Sequence, residues 1–205
     1  MEQGAHLVST ARKAIDAVVL EGRDPDESGL PTWSVGSDGF LKELRGAFVT
    51  LNKLDGELRG CIGIPYPVRP LGEAVVQAAV GAATHDPRFP GVEASELDSI
   101  TVEVSALTKP ETIECKSLEL PKHVRVGTDG LIVSGQGTSG LLLPQVATEM
   151  GLDAETFLSL TCQKAGLPAD AWLTGKVRVL RFQAEVFAEA TPRGVVGELR
   201  AHKQP

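Results

Sequence analysis

Apolar residues recur at helical spacing from Leu7 to Leu20. Leu7, Ala11, Ala14, Ile15, Val18 and Val19 fall on one stripe, with Arg12, Lys13 and Asp16 opposite. This is the pattern of an amphipathic helix, and Gly22 is placed to stop it. The period then changes to two. Ala47–Leu54 and Glu57–Ile64 read as paired strands joined at Asp55-Gly56, a strong signal for a two-residue hairpin turn. Pro65-Tyr66-Pro67 ends the second strand, because proline removes a ladder donor. Pro70 suits the first turn of a helix whose buried stripe is Leu71, Ala74, Val75, Ala78 and Ala82. The small alanines predict close packing on a sheet. His85-Asp86-Pro87 closes that helix, since a residue before proline avoids helical backbone. Ile100 to Leu107 alternates again, with Val102 and Val104 facing one way and Thr101, Glu103 and Ser105 the other.

The second half reads as a similar mixture. His123 to Val126 and Leu131 to Ser134 form an expected hairpin around Asp129-Gly130. Leu141 to Leu143 is apolar throughout, like a buried strand. Pro144 to Met150 and Ala154 to Ala165 read as helices stopped by Gly151 and Gly166, and Val177 to Ala188 as one long closing strand. Arg23 to Asp38, rich in Gly, Pro, Ser and acids, reads as a linker or surface loop. The domain is expected to occupy residues 1–190, with a mobile tail over 191–205.

Composition narrows the function classes. With 205 residues and 42% apolar content, the chain can bury one substantial core, or one core and a smaller lobe, without metals or disulfides. The formal net charge is −7 and aromatics make up 4%. There is no basic stripe interleaved with stacking rings, so nucleic-acid binding is not expected. The cysteines at 61, 115 and 162 and the histidines at 6, 85, 123 and 202 show no metal-ligand spacing. No metal or cofactor is expected. No signal peptide or membrane span is visible, and a reducing cytoplasm is the default compartment.

Strand alternation supplies the candidate chemistry. In Leu58-Arg59-Gly60-Cys61-Ile62-Gly63, Leu58 and Ile62 share a face with Val49 and Leu51, while Arg59 and Cys61 share the other with Thr50 and Asn52. A thiolate is the reactive form of cysteine and a neighbouring cation favours it, so Cys61 beside Arg59 is a candidate nucleophile or ligand contact. It is equally readable as a small buried residue. Gly60 and Gly63 leave room for a ligand or another backbone. His85 is the obvious base for Cys61, against its reading as a solvated histidine at a helix C-terminus. Asp86 and Arg88 flank Pro87, and Arg88 can grip an anion or bridge to Glu103. Glu103 sits mid-strand between valines and must line a cleft, face solvent or pair with Arg59 or Arg88. Thr50, Arg59, Gly60, Cys61, Gly63, Asp86, Arg88 and Glu103 are therefore the candidate binding residues, with Cys61 the candidate catalytic one. Gly135-Gln136-Gly137-Thr138-Ser139-Gly140 matches Gly-x-Gly-x-x-Gly in letters, but Leu141-Leu142-Leu143 follows where a dinucleotide fingerprint needs a helix. A glycine-rich turn between strands is expected instead.

The run Leu58-Arg59-Gly60-Cys61-Ile62-Gly63 resembles the signature of the AMMECR domain family. It is accompanied in order by Gly46-Ala47-Phe48-Val49-Thr50-Leu51, Asp86-Pro87-Arg88-Phe89-Pro90, Val102-Glu103-Val104-Ser105, Gly140-Leu141-Leu142-Leu143-Pro144-Gln145-Val146-Ala147, Phe157-Leu158, Cys162 and Lys164-Ala165-Gly166-Leu167-Pro168. The resemblance runs from the first helix to about Phe187. It implies an α+β fold, mainly antiparallel sheet with flanking helices, in a larger and a smaller lobe. It does not imply a reaction, and the family's motif does not require histidine at position 85. It further suggests association with Memo-like and radical SAM proteins, as in AmmeMemoRadiSam system protein A. Two functions follow as expectations. One is an accessory or binding domain with a Cys/Arg-lined cleft for a small anionic ligand or a partner segment. The other is a thiol-dependent enzyme with Cys61 as nucleophile and Arg59 stabilising thiolate or oxyanion.

Overall fold

A computed structural model describes residues 2–22 and 39–199. The chain folds into two units, one of residues 2–22, 39–107 and 185–199, the other of residues 108–184. In the first unit, helix α1 (Glu2–Glu21) precedes strands β1 (Ala47–Lys53) and β2 (Leu58–Ile64), helix α2 (Leu71–Thr84) and strand β3 (Ile100–Leu107). After the second unit come β8 (Ala184–Glu189) and β9 (Val196–Leu199). The sheet order is β2-β1-β3-β8-β9, with β1 antiparallel to both β2 and β3. Helix α2 packs on β1 and β2, and α1 packs on α2 and β3.

The alanines of α2 do what their size suggests. Ala74, Ala78, Ala79, Ala82 and Ala83 are all buried, so the helix lies close to the sheet. Gly60 is the matching small residue on β2. A Cβ there would lie 2.2 Å from the Ala82 carbonyl oxygen, so its missing side chain admits the backbone of α2. Of the two roles foreseen for Gly60, close backbone approach is the one realised.

The second unit contains β4 (Glu111–Thr112), a single-turn helix α3 (Leu120–His123), β5 (Gly130–Gly135), β6 (Thr138–Leu142), α4 (Pro144–Glu149), α5 (Ala154–Lys164) and β7 (Arg178–Phe182). Its sheet order is β4-β7-β5-β6, antiparallel throughout. Leu131, Val133, Phe157, Leu158, Cys162 and Val179 form its core. Cys162 is packing, as its helical neighbours suggest.

Several local readings are corrected. Three residues, Leu54-Asp55-Gly56, not two, lie between Lys53 and Glu57, which close the β1–β2 turn through the Lys53 amide and the Glu57 carbonyl at 2.8 Å. The Gly56 amide bonds to the Lys53 carbonyl (3.0 Å), Gly56 has φ +87°, and a bulge shifts the register at Leu51/Asn52. This is the turn-plus-bulge solution for a longer hairpin loop. Residues 123–126 are not a strand. The chain there turns around buried Asp129, whose carboxylate accepts bonds from the Arg125 backbone and guanidinium and from Gln183. Residues 177–188 are not one strand either, because Gln183 separates β7 from β8 and the two belong to different sheets. The folded region does not end at residue 190, since β9 pairs with β8 from Val196 to Leu199. Arg12 is not on a solvent face but is 6% exposed. The glycine-rich run is a strand-to-strand turn, with Gly135 paired to Thr138. The expected loop at 23–38 and the last residues of the expected tail, 200–205, lie outside the described residues.

Candidate functional site

Register decides which side chains meet. On β1, Val49 and Leu51 are fully buried, and their partners Ile62 and Gly60 on β2 and Val104 and Val102 on β3 share that inward face. Thr50 therefore faces the other way. It pairs with Cys61 on one side and Glu103 on the other. A thiol, a hydroxyl and a carboxyl thus form one row across three strands. The Thr50 hydroxyl donates to the Cys61 sulfur at 3.4 Å. In the adjacent row Phe48 lies between Gly63 and Ser105. Its ring occupies the space above Gly63, where a Cβ would come within 2.2 Å of it. Gly63 is thus filled by Phe48 rather than left open for a ligand.

Glu103 is half-buried, and burial pushes its carboxyl pKa up. It has no ion pair or hydrogen bond among the described residues. The expected pairings with Arg59 or Arg88 are not made, because each arginine has a nearer acid. A carboxyl in this state accepts hydrogen bonds when ionised and donates one when protonated.

Arg59 leaves the row altogether. It is 5% exposed and forks onto Glu96, with Nε–Oε1 2.7 Å and the Nη2–Oε2 bond 2.9 Å, while Pro90 and Gly91 carbonyls take its remaining donors at 3.0 and 3.1 Å. The bond to Glu96 raises the Arg59 pKa and lowers that of Glu96. Arg59 is a clamp, not a cleft wall. Sequence reading missed Glu96. The available signal was its place three residues after Glu93, the spacing of a capping box, which the structure contains.

Asp86 and Arg88 complete the same arrangement from the end of α2. Asp86 accepts the Cys61 amide at 2.8 Å and both the amide and guanidinium of Arg88, whose Nη2 also donates to the Cys61 carbonyl at 3.2 Å. The Arg88 hydrogen bond, with those of the Cys61 and Arg88 amides, holds the Asp86 pKa far below the usual carboxylate range despite burial. Strand β2 is an edge strand, so its outward amides and carbonyls need partners. Residues 86–96 supply them. Asp86 and Arg88 close the edge at Cys61, and Glu96 with the Pro90 and Gly91 carbonyls anchors Arg59. Arg88 remains about half exposed (53%) and lies over the Phe89 ring.

His85 is exposed and its Nδ1 lies 2.7 Å from the Thr84 hydroxyl, which is the bland outcome foreseen for it. The row thus brings together Thr50, Cys61 and Glu103, with Asp86 and Arg88 at its edge. Gly60 and Arg59 are turned to structural tasks.

The thiols can be ranked. Burial pushes the pKa of Cys115 and Cys162 up, the acids Glu119 and Glu114 adding to the effect at Cys115. Cys61 is half-exposed on the polar face. In native protein, iodoacetamide is expected to modify Cys61 before the other two, as read by timed labelling and mass spectrometry. Labelling of Cys61 only on unfolding would show that the face is sealed.

The AMMECR1 family profile matches residues 8–187. The chain is 52% identical to a protein of Methanothermobacter thermautotrophicus over 92% of this chain and 95% of that one. It is 51% identical to a protein of Thermococcus gammatolerans over 95% and 94%. It also resembles the crystal structure of an uncharacterized protein from Pyrococcus horikoshii, with 46% identity, 97% coverage of both chains and a TM-score of 0.81. The chain belongs to the AMMECR1 family.

Proposed function

We propose that this protein is an accessory or binding domain whose recognition surface is the polar face of the first sheet, centred on Thr50, Cys61 and Glu103. The observation that carries this reading is Glu103, a half-buried carboxyl without a partner among the described residues, two strands from a thiol. Such a group is costly until something binds it. A partner segment that brings hydrogen-bond donors or a positive charge fits it better than an anion does. The two arginines that would have held an anion are committed to Glu96 and Asp86.

The thiol-enzyme reading has less support. The Thr50 hydroxyl donates to Cys61 Sγ and the Arg88 guanidinium interacts with the same side chain, but neither is a base that could take the thiol proton, as a cysteine nucleophile usually needs. The resemblance that suggests Memo-like and radical SAM proteins supplies the partners to try. Each is titrated calorimetrically against the purified domain. The expected result is saturable binding to one of them, weakened about tenfold or more by Glu103→Lys and less by Glu103→Gln. Unchanged affinity in both variants would move the surface elsewhere. Turnover of an activated ester that vanishes in Cys61→Ser would restore the enzyme reading.

A further inference from the structure

We infer that the cleft between the β5–β6 turn and residues 175–178 of the second unit is a binding site for a small phosphorylated ligand. The cleft has a volume of about 400 Å³ and is lined by Ser134, Gly135, Gly137, Gly175, Lys176 and Arg178, with Thr138 and Val177. That size falls in the range of small-molecule sites, roughly 300–1,000 Å³. Two cations line it and no carboxylate does. Among the described residues neither the Lys176 ammonium nor the Arg178 guanidinium has an ionic or hydrogen-bonded partner. The chain's net charge is −7, yet this cleft is lined by two cations and no acid.

Neutral donors complete the set. Ser134 is paired in register with Arg178 across β5 and β7, which puts the two side chains on one face of the sheet. Gln136 and Gly137 both have positive φ, +52° and +79°, the conformation of a two-residue hairpin turn. The Gly137 amide has no backbone acceptor among the described residues. Gly135 shapes the site, since a Cβ there would fall 2.8 Å from the Val177 side chain. A planar guanidinium fork, an exposed ammonium, a hydroxyl and a turn amide without a backbone acceptor match the several acceptor oxygens of a phosphate dianion. The glycine run, which has the wrong context for a dinucleotide, here contributes a turn amide to an anion site instead.

The test is an NMR titration of the full chain with inorganic phosphate, with phenyl phosphate and with sodium chloride at matched ionic strength. The expected result is saturable amide shifts at Gly137, Gly175 and Lys176 with either phosphate and not with chloride. Tighter binding of phenyl phosphate would identify a phosphomonoester as the ligand, and equal affinity would identify free phosphate. The double variant Lys176→Gln/Arg178→Gln replaces exposed side chains and should fold, as checked by an unchanged spectrum outside the cleft. It should weaken binding about tenfold or more. Shifts that fail to saturate, that chloride reproduces, or that survive the double substitution would overturn the site.

Discussion

Replacing Arg12 with alanine is expected to destabilise the first unit by about 3–5 kcal/mol, the usual cost of leaving one member of a buried ion pair behind. Arg12 lies on α1 and forks onto the Glu189 carboxylate at the end of β8. Its other donors reach the Leu97 carbonyl at 3.1 Å and the Ile100 carbonyl at 2.8 Å. Glu189 in turn accepts the Val102 amide at 3.1 Å. One guanidinium thus joins a helix, a loop and two strands. Without it, Glu189 stays buried with its charge uncompensated and the two carbonyls lose their donor. The measurement is the urea midpoint at constant slope, which reports stability rather than a change of state. The double variant Arg12→Met/Glu189→Leu should recover much of the loss, since well-packed apolar pairs replace buried ion pairs at little cost. A loss below about 1 kcal/mol for Arg12→Ala would show that water reaches the pair.

Arg12 also marks a limit of sequence reading. Periodicity sets it opposite the apolar stripe of α1, yet it is buried, because the end of β8 arrives from 177 residues further on in the chain. Local periodicity reports which residues share a face, not what later covers that face. The same distinction runs through the fold. The helices at residues 2–21 and 71–84, and β3 with its alternation, follow from local pattern. The fate of residues 177–188 does not, because two short strands in different sheets and one long strand present the same alternation. Nor does β9, whose Val196–Leu199 carries only a weak apolar pattern and owes its existence to the exposed edge of β8.

The candidate site was legible in part of its rows and not in its pairings: Asn52 pairs with Leu58, so Arg59 is the extra residue of the bulge, and neither Leu58 nor Arg59 keeps the face that alternation predicts. Alternation puts Thr50 and Cys61 on one face and Glu103 on the same face of the next strand, and the register agrees. Which acid takes which arginine depends on loops, and here residues 86–96 decide it. Asp86 is close to Arg88 by two residues of sequence and Glu96 is brought to Arg59 by the same loop. Glu103, expected to be the partner of one of them, is left over. The residue that sequence reading spent as a structural counter-ion is therefore the one that carries the proposed recognition surface.

Asp86→Ala is expected to cost about 3 kcal/mol, since it removes charge-assisted bonds and orphans the Cys61 amide at the edge of β2. The Asp86 side chain is 2% exposed, whereas Arg88 is half exposed and can turn to water. The loss therefore falls mainly on the buried donor and on the turn that Asp86 organises by accepting the Arg88 amide at 3.0 Å. The Arg59–Glu96 clamp still holds the other end of the strand, so local loosening at Cys61 is expected rather than release of β2, and Cys61 should alkylate faster in the variant. Acid sharpens the test. The folded-state pKa of Asp86 is depressed, chiefly by its hydrogen bond to Arg88. Its contribution is then fully present above the unfolded-state value of about 3.9 and is lost as pH falls from there toward the lower folded-state value. The stability gap between the native chain and Asp86→Asn should be constant from neutral pH to about pH 5 and shrink steadily below about pH 4. The raised pKa of Glu103 and the lowered pKa of Glu96 act equally in both proteins and cancel in the difference. A gap that holds unchanged into strong acid, together with unaltered alkylation of Cys61, would show that Asp86 does not close the strand edge.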